Sequence, residues 1–168
     1  MATQRIPILG SGTFPDNSGE VFQEPYTITA TNDTWDPMVW VFTDGSTRTG
    51  LYGTFEVPTA YVDTANLIVV WTSTATAGSV EWDFDYRVVT GSDATSLDQA
   101  TAQESVNDSD TAPSAAHERM VKSIALTDGN VSANSTVEFF LARDKSDAGD
   151  DMAAKAILFS ALFEFNDL

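Results

Sequence analysis

Ser79–Thr90 reads SVEWDFDYRVVT, and its periodicity decides the fold class. Val80, Trp82, Phe84, Tyr86 and Val88 alternate with Glu81, Asp83, Asp85 and Arg87. Side chains of a strand point alternately to its two faces, so this spacing predicts a strand with a buried aromatic face and a charged, wet one. A helix would scatter the same residues around its circumference.

Period two continues in both directions. Strands are expected at Met38–Thr43, Leu51–Val57, Leu67–Ser73, Met120–Leu126 and Thr136–Arg143, and a weaker one near Gln103–Asn107. The apolar run at 67–71 suits a central strand covered on both sides. Ala154–Phe165 is rich in Ala and Leu and competes as a helix. Its period-two set of Ile157, Phe159, Phe163 and Phe165 favours a strand. Asp44-Gly45, Ala77-Gly78 and Asp128-Gly129-Asn130 supply turn chemistry, with positive φ available at each glycine. Helical signal is confined to Ser96 with Gln99, which fits a capping box and equally a polar loop. The whole pattern predicts an all-β fold, an antiparallel β-sandwich. The link from Gly91 to Glu118 is read as crossing between sheets, which favours a jelly-roll or Greek-key path. Residues 1–34 hold scattered Gly and Pro with patchy alternation. They are expected to form an extended N-terminal arm, with the sandwich domain over 35–168.

The chain has 168 residues, 42% of them hydrophobic, enough for one domain with a packed core. Its formal net charge is -17, which repels phosphate backbones and anionic lipid headgroups, so neither nucleic acid nor membrane is expected as a partner. No stretch approaches the roughly 20 apolar residues of a membrane span, and the opening MATQRIPILGSG lacks the apolar run of a secretion signal. Residues 1–80 hold 8 acids and 2 bases, whereas residues 81–168 hold 17 acids and 6 bases. The N-terminal part is therefore the less acidic.

Cysteine is absent, which removes disulfides, thiolate nucleophiles and Cys-based zinc sites. The single histidine, His117, lies in a loop with no G-x-S-x-G elbow anywhere in the chain, so an exposed or interface role outweighs a catalytic one. Glu81, Asp83 and Asp85 stand two apart on one strand face, a tolerable spacing for a glycosidase acid/base pair. They also simply mark the solvent side of an aromatic strand, which is the preferred reading. Asp144, Asp147, Asp150 and Asp151 surround Gly149 in a loop rich in hard oxygens. Calcium suits such a loop, but the spacing is not that of an EF-hand, and a solvated acidic turn fits as well. No enzyme activity and no cofactor are expected. Of the tryptophans, Trp71 and Trp82 sit within apolar patterns and read as core, while Trp35 is the candidate exposed aromatic. Residues 157–165 look apolar on both faces, more than one sandwich interior absorbs. Ile157, Phe159, Phe163 and Phe165 are therefore expected at an interface with further copies of the chain, a homotrimer being the favoured assembly.

Three stretches resemble virion structural proteins of tailed bacteriophages: RIPILGSGTFPDNSGEVFQEPYTITATNDTW, VVWTSTATAGSVEWDFDYRVV and TVEFFLARDKSDAGDDMAAKAILFSALFEF. The resemblance implies a jelly-roll-like capsid cement or decoration protein on the outer capsid surface of the virion. In that role it bridges major capsid protein subunits. The arm would grip the shell through Arg5, Ile6, Pro7 and Ile8, and further along through Leu9, Phe14, Val21 and Phe22. The alternative is a receptor- or glycan-binding module of a phage tail or fibre.

Overall fold

The computed structural model describes residues 1–29, 34–90 and 102–168, and of residues 28, 29, 34 and 35 only the backbone. The capping-box pair Ser96 and Gln99 lies outside the described residues. Thirteen strands and a single 3-10 turn at Asp128–Asn130 make up the described secondary structure. The strands are β1 (Thr3–Pro7), β2 (Phe14–Pro15), β3 (Val21–Pro25), β4 (Ile28–Thr29), β5 (Thr34–Trp35) and β6 (Met38–Phe42). They continue with β7 (Arg48–Glu56), β8 (Tyr61–Thr72), β9 (Ser79–Thr90) and β10 (Glu104–Thr111). The last three are β11 (Met120–Ala125), β12 (Ser135–Asp144) and β13 (Ala156–Asp167).

Two antiparallel sheets face each other. One runs β11-β8-β13-β6-β3, with β1 also on β13, and the other runs β10-β9-β12-β7-β2. From β6 to β13 the chain changes sheet at every connection except β9 to β10. This is the jelly-roll path, and the fold is the antiparallel β-sandwich expected from the alternation. The crossing lies later than expected, because 104–111 pairs with β9 in the same sheet and only the 112–119 segment passes over. The core is filled by the predicted inward set of β9, with Trp82 and Phe84 at 0% exposure, and Trp71 meets Trp82 edge-to-face at 6.0 Å.

The N-terminal stretch is part of the sandwich. β1 pairs with β13 from Thr3↔Asn166 to Pro7↔Leu162, β2 pairs with β7, and β3 pairs with β6. Ile8 and Val21 are buried in the main core, Ile6 and Leu9 pack against it, and Phe22 packs on a second apolar cluster. Arg5 pairs with Glu164 at 2.7 Å. The reason is local: strand edges leave unpaired N–H and C=O groups, and this stretch satisfies them with its own backbone. Of the eight residues expected to grip a shell, Phe14 is the large apolar side chain that stays exposed.

The terminal strand also departs from strict alternation. A register shift between Leu158 and Ser160 leaves Phe159 without a partner in β8. Leu158, Ala161, Phe163 and Phe165 therefore share the core face, with Phe163 and Phe165 at 1% and 3% exposure. Both fill the chain's own interior and are not available to a second copy. Ile157 points the other way into a cluster with Tyr26, Val39 and Val41, and Phe159 packs beside it. The surplus apolar face is thus covered in large part by Tyr26 of the same chain.

Turns differ from expectation in one respect. Among the glycines of the three predicted turns, Gly78 alone takes positive φ, at 86°. A Cβ there would also lie 2.7 Å from the Met152 Cα, so that site demands glycine on two counts.

Met152 belongs to a loop held by a buried ion pair. Arg143, 1% exposed, donates from Nε and Nη2 to the two Asp150 carboxylate oxygens at 2.7 and 2.8 Å. It also donates to the carbonyls of Thr43, Met152 and Ala154. Asp150 in turn accepts the Glu81 N–H at 3.2 Å. Removing Arg143 leaves the buried Asp150 charge with only the longer Lys145 contact at 3.3 Å. Arg143→Gln is expected to cost about 3–5 kcal/mol of unfolding free energy, measured by urea denaturation at neutral pH.

Candidate functional site

The outer face of the β10-β9-β12-β7-β2 sheet carries a row of aromatic rings. Register aligns Phe14 with Tyr52 and Tyr52 with Phe140, so one side chain comes from each of β2, β7 and β12. Phe14 and Tyr52 stack at 5.6 Å between centroids, and Tyr52 and Phe140 lie 4.5 Å apart. Phe14 is 57% exposed and Tyr52 43%. With neighbouring strands about 4.8 Å apart, the row is about 10 Å long.

A glycine makes room for the last ring of the row. A Cβ on Gly50 would sit 2.8 Å from Phe140 Cζ and 2.4 Å from the Leu141 carbonyl oxygen, so only glycine leaves room for that ring. Asp16 anchors β2: its carboxylate accepts the Gly50 N–H at 2.7 Å, and its own N–H donates to the Gly50 carbonyl at 2.9 Å. This clamp fixes Phe14 beside Tyr52.

Charged groups close one end of the row. Asp85 is the register partner of Phe140 on β9. Arg48 sits with Cζ 5.0 Å from the Phe140 centroid, a cation–π distance, and pairs with Asp83 at 2.7 Å and Asp85 at 2.8 Å. Burial pushes the Asp83 carboxyl above its ordinary value, against the pull of Arg48. Asp83 Oδ1 is buried with no hydrogen-bond partner. The face expected to be wet is thus largely half-buried and ion-paired, since β9 is central in its sheet and its charges answer charges on β7 and β12. Arg87, for example, pairs with Glu138 on β12.

Glu81 departs furthest from the wet-face expectation. It is 6% exposed, lying under the Asp144–Asp151 loop at Gly149. Burial, then the charges of Asp147, Asp83, Asp108 and Asp150, raise its pKa to about 7. Asp83 is committed to Arg48, so the two do not form an acid/base pair facing an open cleft. The loop's carboxylates are likewise engaged internally. Asp144 accepts from Ser146, Asp147 from the Gly149 N–H, and Asp151 from the Ser79 N–H. Among the described residues no group of three or more acidic or histidine side chains is arranged to hold a metal ion, so the calcium reading of the loop has no geometric support.

The sequence signal for this site lay in Phe139-Phe140, adjacent aromatics that must occupy opposite faces of one strand, and in Tyr52 between Gly50 and Gly53. Attention to tryptophan missed it. Trp71 and Trp82 are buried as expected, Trp40 is half-buried, and the side chain of Trp35 lies outside the described residues.

Glu81 makes stability depend on pH. Its ordinary value is 4.5, so between about pH 4.5 and 7 the folded chain holds a proton that the unfolded chain has lost. Stability from this group is complete below that window and falls as pH rises through it. Glu81→Gln should therefore raise the thermal midpoint relative to the parent more at pH 8 than at pH 5, as measured by calorimetry.

No family model and no curated protein matches the chain. Solved structures do. The arabinose-bound MgGH51 α-L-arabinofuranosidase superposes with a TM-score of 0.52 at 12% identity over 95% of this chain, which spans 24% of that enzyme. A CBM35 module from Paenibacillus barcinonensis gives 0.50 at 11% identity, covering 97% of this chain and 98% of its own. A family 35 carbohydrate-binding module from Clostridium thermocellum gives 0.50 at 12%, with the same coverage. At such identities the likeness is one of fold, and the fold is the jelly-roll β-sandwich that carbohydrate-binding modules share with this chain.

Proposed function

We propose that the protein is a non-catalytic glycan-binding module that holds an uncharged polysaccharide on the row Phe14–Tyr52–Phe140. The observation that carries this reading is the exposed stack of Phe14 and Tyr52, with 5.6 Å between ring centroids and 28° between ring planes. Sugar rings present apolar C–H faces that stack on aromatic rings, while their hydroxyls need polar partners at the edge. Arg48 and Asp85 supply a donor and an acceptor at the Phe140 end. A mostly apolar floor with a few fixed polar groups is the usual composition of a small-ligand site. The likeness to carbohydrate-binding modules in fold supports the reading. The net charge of -17 disfavours acidic polysaccharides.

Affinity electrophoresis in gels containing xylan, mannan or mixed-linkage glucan tests it. Retardation by at least one neutral polysaccharide is expected, reduced about tenfold or more in affinity by Tyr52→Ala or Phe140→Ala. Pectate should retard the chain less than the neutral polymer does. Unchanged mobility in every neutral gel would remove the proposal.

A second reading keeps the row but covers it with protein: a cement role on a phage shell, with the major capsid protein as partner and a homotrimeric assembly. Its support is the sequence resemblance and the exposure of Phe14 within the stretch expected to grip the shell. Saturable binding to purified capsids that Phe14→Ser abolishes, together with no glycan retardation, would favour it.

A further inference from the structure

On the face of the sandwich opposite the aromatic row, a cavity of about 400 Å3 is lined by Val70, His117, Arg119, Phe159 and Ser160. The register shift in β13 builds one wall. Phe159 is the residue left over between Leu158, opposite Trp71, and Ser160, opposite Val70, so it turns outward next to Ser160. Bulges of this kind re-aim side chains and concentrate near binding sites.

The opposite wall is held in an uncommon backbone conformation. His117 has φ of 71°, and its N–H donates to the Ser73 carbonyl at 2.9 Å. A left-handed conformation outside glycine is sustained only where surrounding contacts enforce it. Here the contact is Tyr26, whose hydroxyl hydrogen-bonds His117 Nδ1 and whose ring meets Phe159 edge-on at 5.8 Å. Burial raises the Tyr26 pKa, so its hydroxyl keeps its proton.

Arg119 is the anomaly. The chain has 25 acidic residues, and every other lysine and arginine has a carboxylate partner. Among the described residues none pairs with Arg119. Its neighbour Glu118 is turned to the Ser114 hydroxyl and the Ala115 N–H.

We propose that this cavity binds a small ring-bearing carboxylate, with the anionic group on Arg119 and the ring against Phe159 and Val70. A guanidinium fork matches a carboxylate bidentately. The volume lies within the range of small-molecule sites. The ring requirement follows from Phe159 and Val70, the two apolar side chains of the lining.

Titration of the full chain with benzoate, benzamide and acetate, followed by nuclear magnetic resonance, tests the assignment. Benzoate should bind about tenfold or more tightly than benzamide, its neutral isostere, and than acetate, which lacks the ring. Arg119→Gln should bring benzoate down to the level of benzamide. Because Arg119 is exposed and pairs with no carboxylate among the described residues, the variant's thermal midpoint should match that of the parent. Phe159→Leu should weaken benzoate and benzamide together. Equal binding of benzoate and benzamide, acetate binding as tightly as benzoate, a preference that survives Arg119→Gln, or no benzoate binding at millimolar concentration would each overturn the proposal. The result is independent of glycan binding, because the two sites lie on opposite faces.

Discussion

The buried pair of Arg143 and Asp150 governs how this sandwich closes at one end. A guanidinium at 1% exposure is tolerable only when its charge and donors are met, and here they are met by one carboxylate and three backbone carbonyls. Those partners come from the β6–β7 turn and from the loop before β13. The pair therefore ties the two sheets together where an apolar contact would have no directional preference. It also holds the loop over Glu81, which explains why a residue on the outer face of β9 is buried and ionises only at raised pH.

The same sheet supports the aromatic row, and the two features place opposite demands on β9 and its neighbours. Near Glu81 the loop covers the surface. Further along, the face is uncovered, and Phe14, Tyr52 and Phe140 are left to water. Exposed aromatics in register on adjacent strands order the water around them, a cost that a covering partner removes. Gly50 and Asp16 show that the arrangement is built, since one makes room for a ring and the other pins a two-residue strand in place. Arg48, shared by Asp83 and Asp85, keeps the polar end from being a bare negative patch.

The other outer face is organised differently. Its apolar surplus is partly absorbed by Tyr26, and what remains is a cavity shaped by a single extra residue in β13. One inserted residue reverses the facing of all side chains beyond it. That is why Phe163 and Phe165 belong to the core although Phe159, in the same period-two series, does not.

Amino-acid order by itself determined the all-β class, most strand positions and the jelly-roll expectation, because alternation is a local property that each segment carries alone. Ser79–Thr90 and the burial of Trp71 and Trp82 were legible in this way. Tertiary structure alone decided the rest. The N-terminal stretch joined the sheets because strand edges elsewhere in the chain lacked partners. The acidic loop closed on Arg143 instead of standing in solvent. The bulge at Phe159 split a face that the pattern had kept whole. Three aromatics distant in sequence, Phe14, Tyr52 and Phe140, became one surface because strand register, a long-range quantity set by hydrogen bonding and core packing together, placed them side by side.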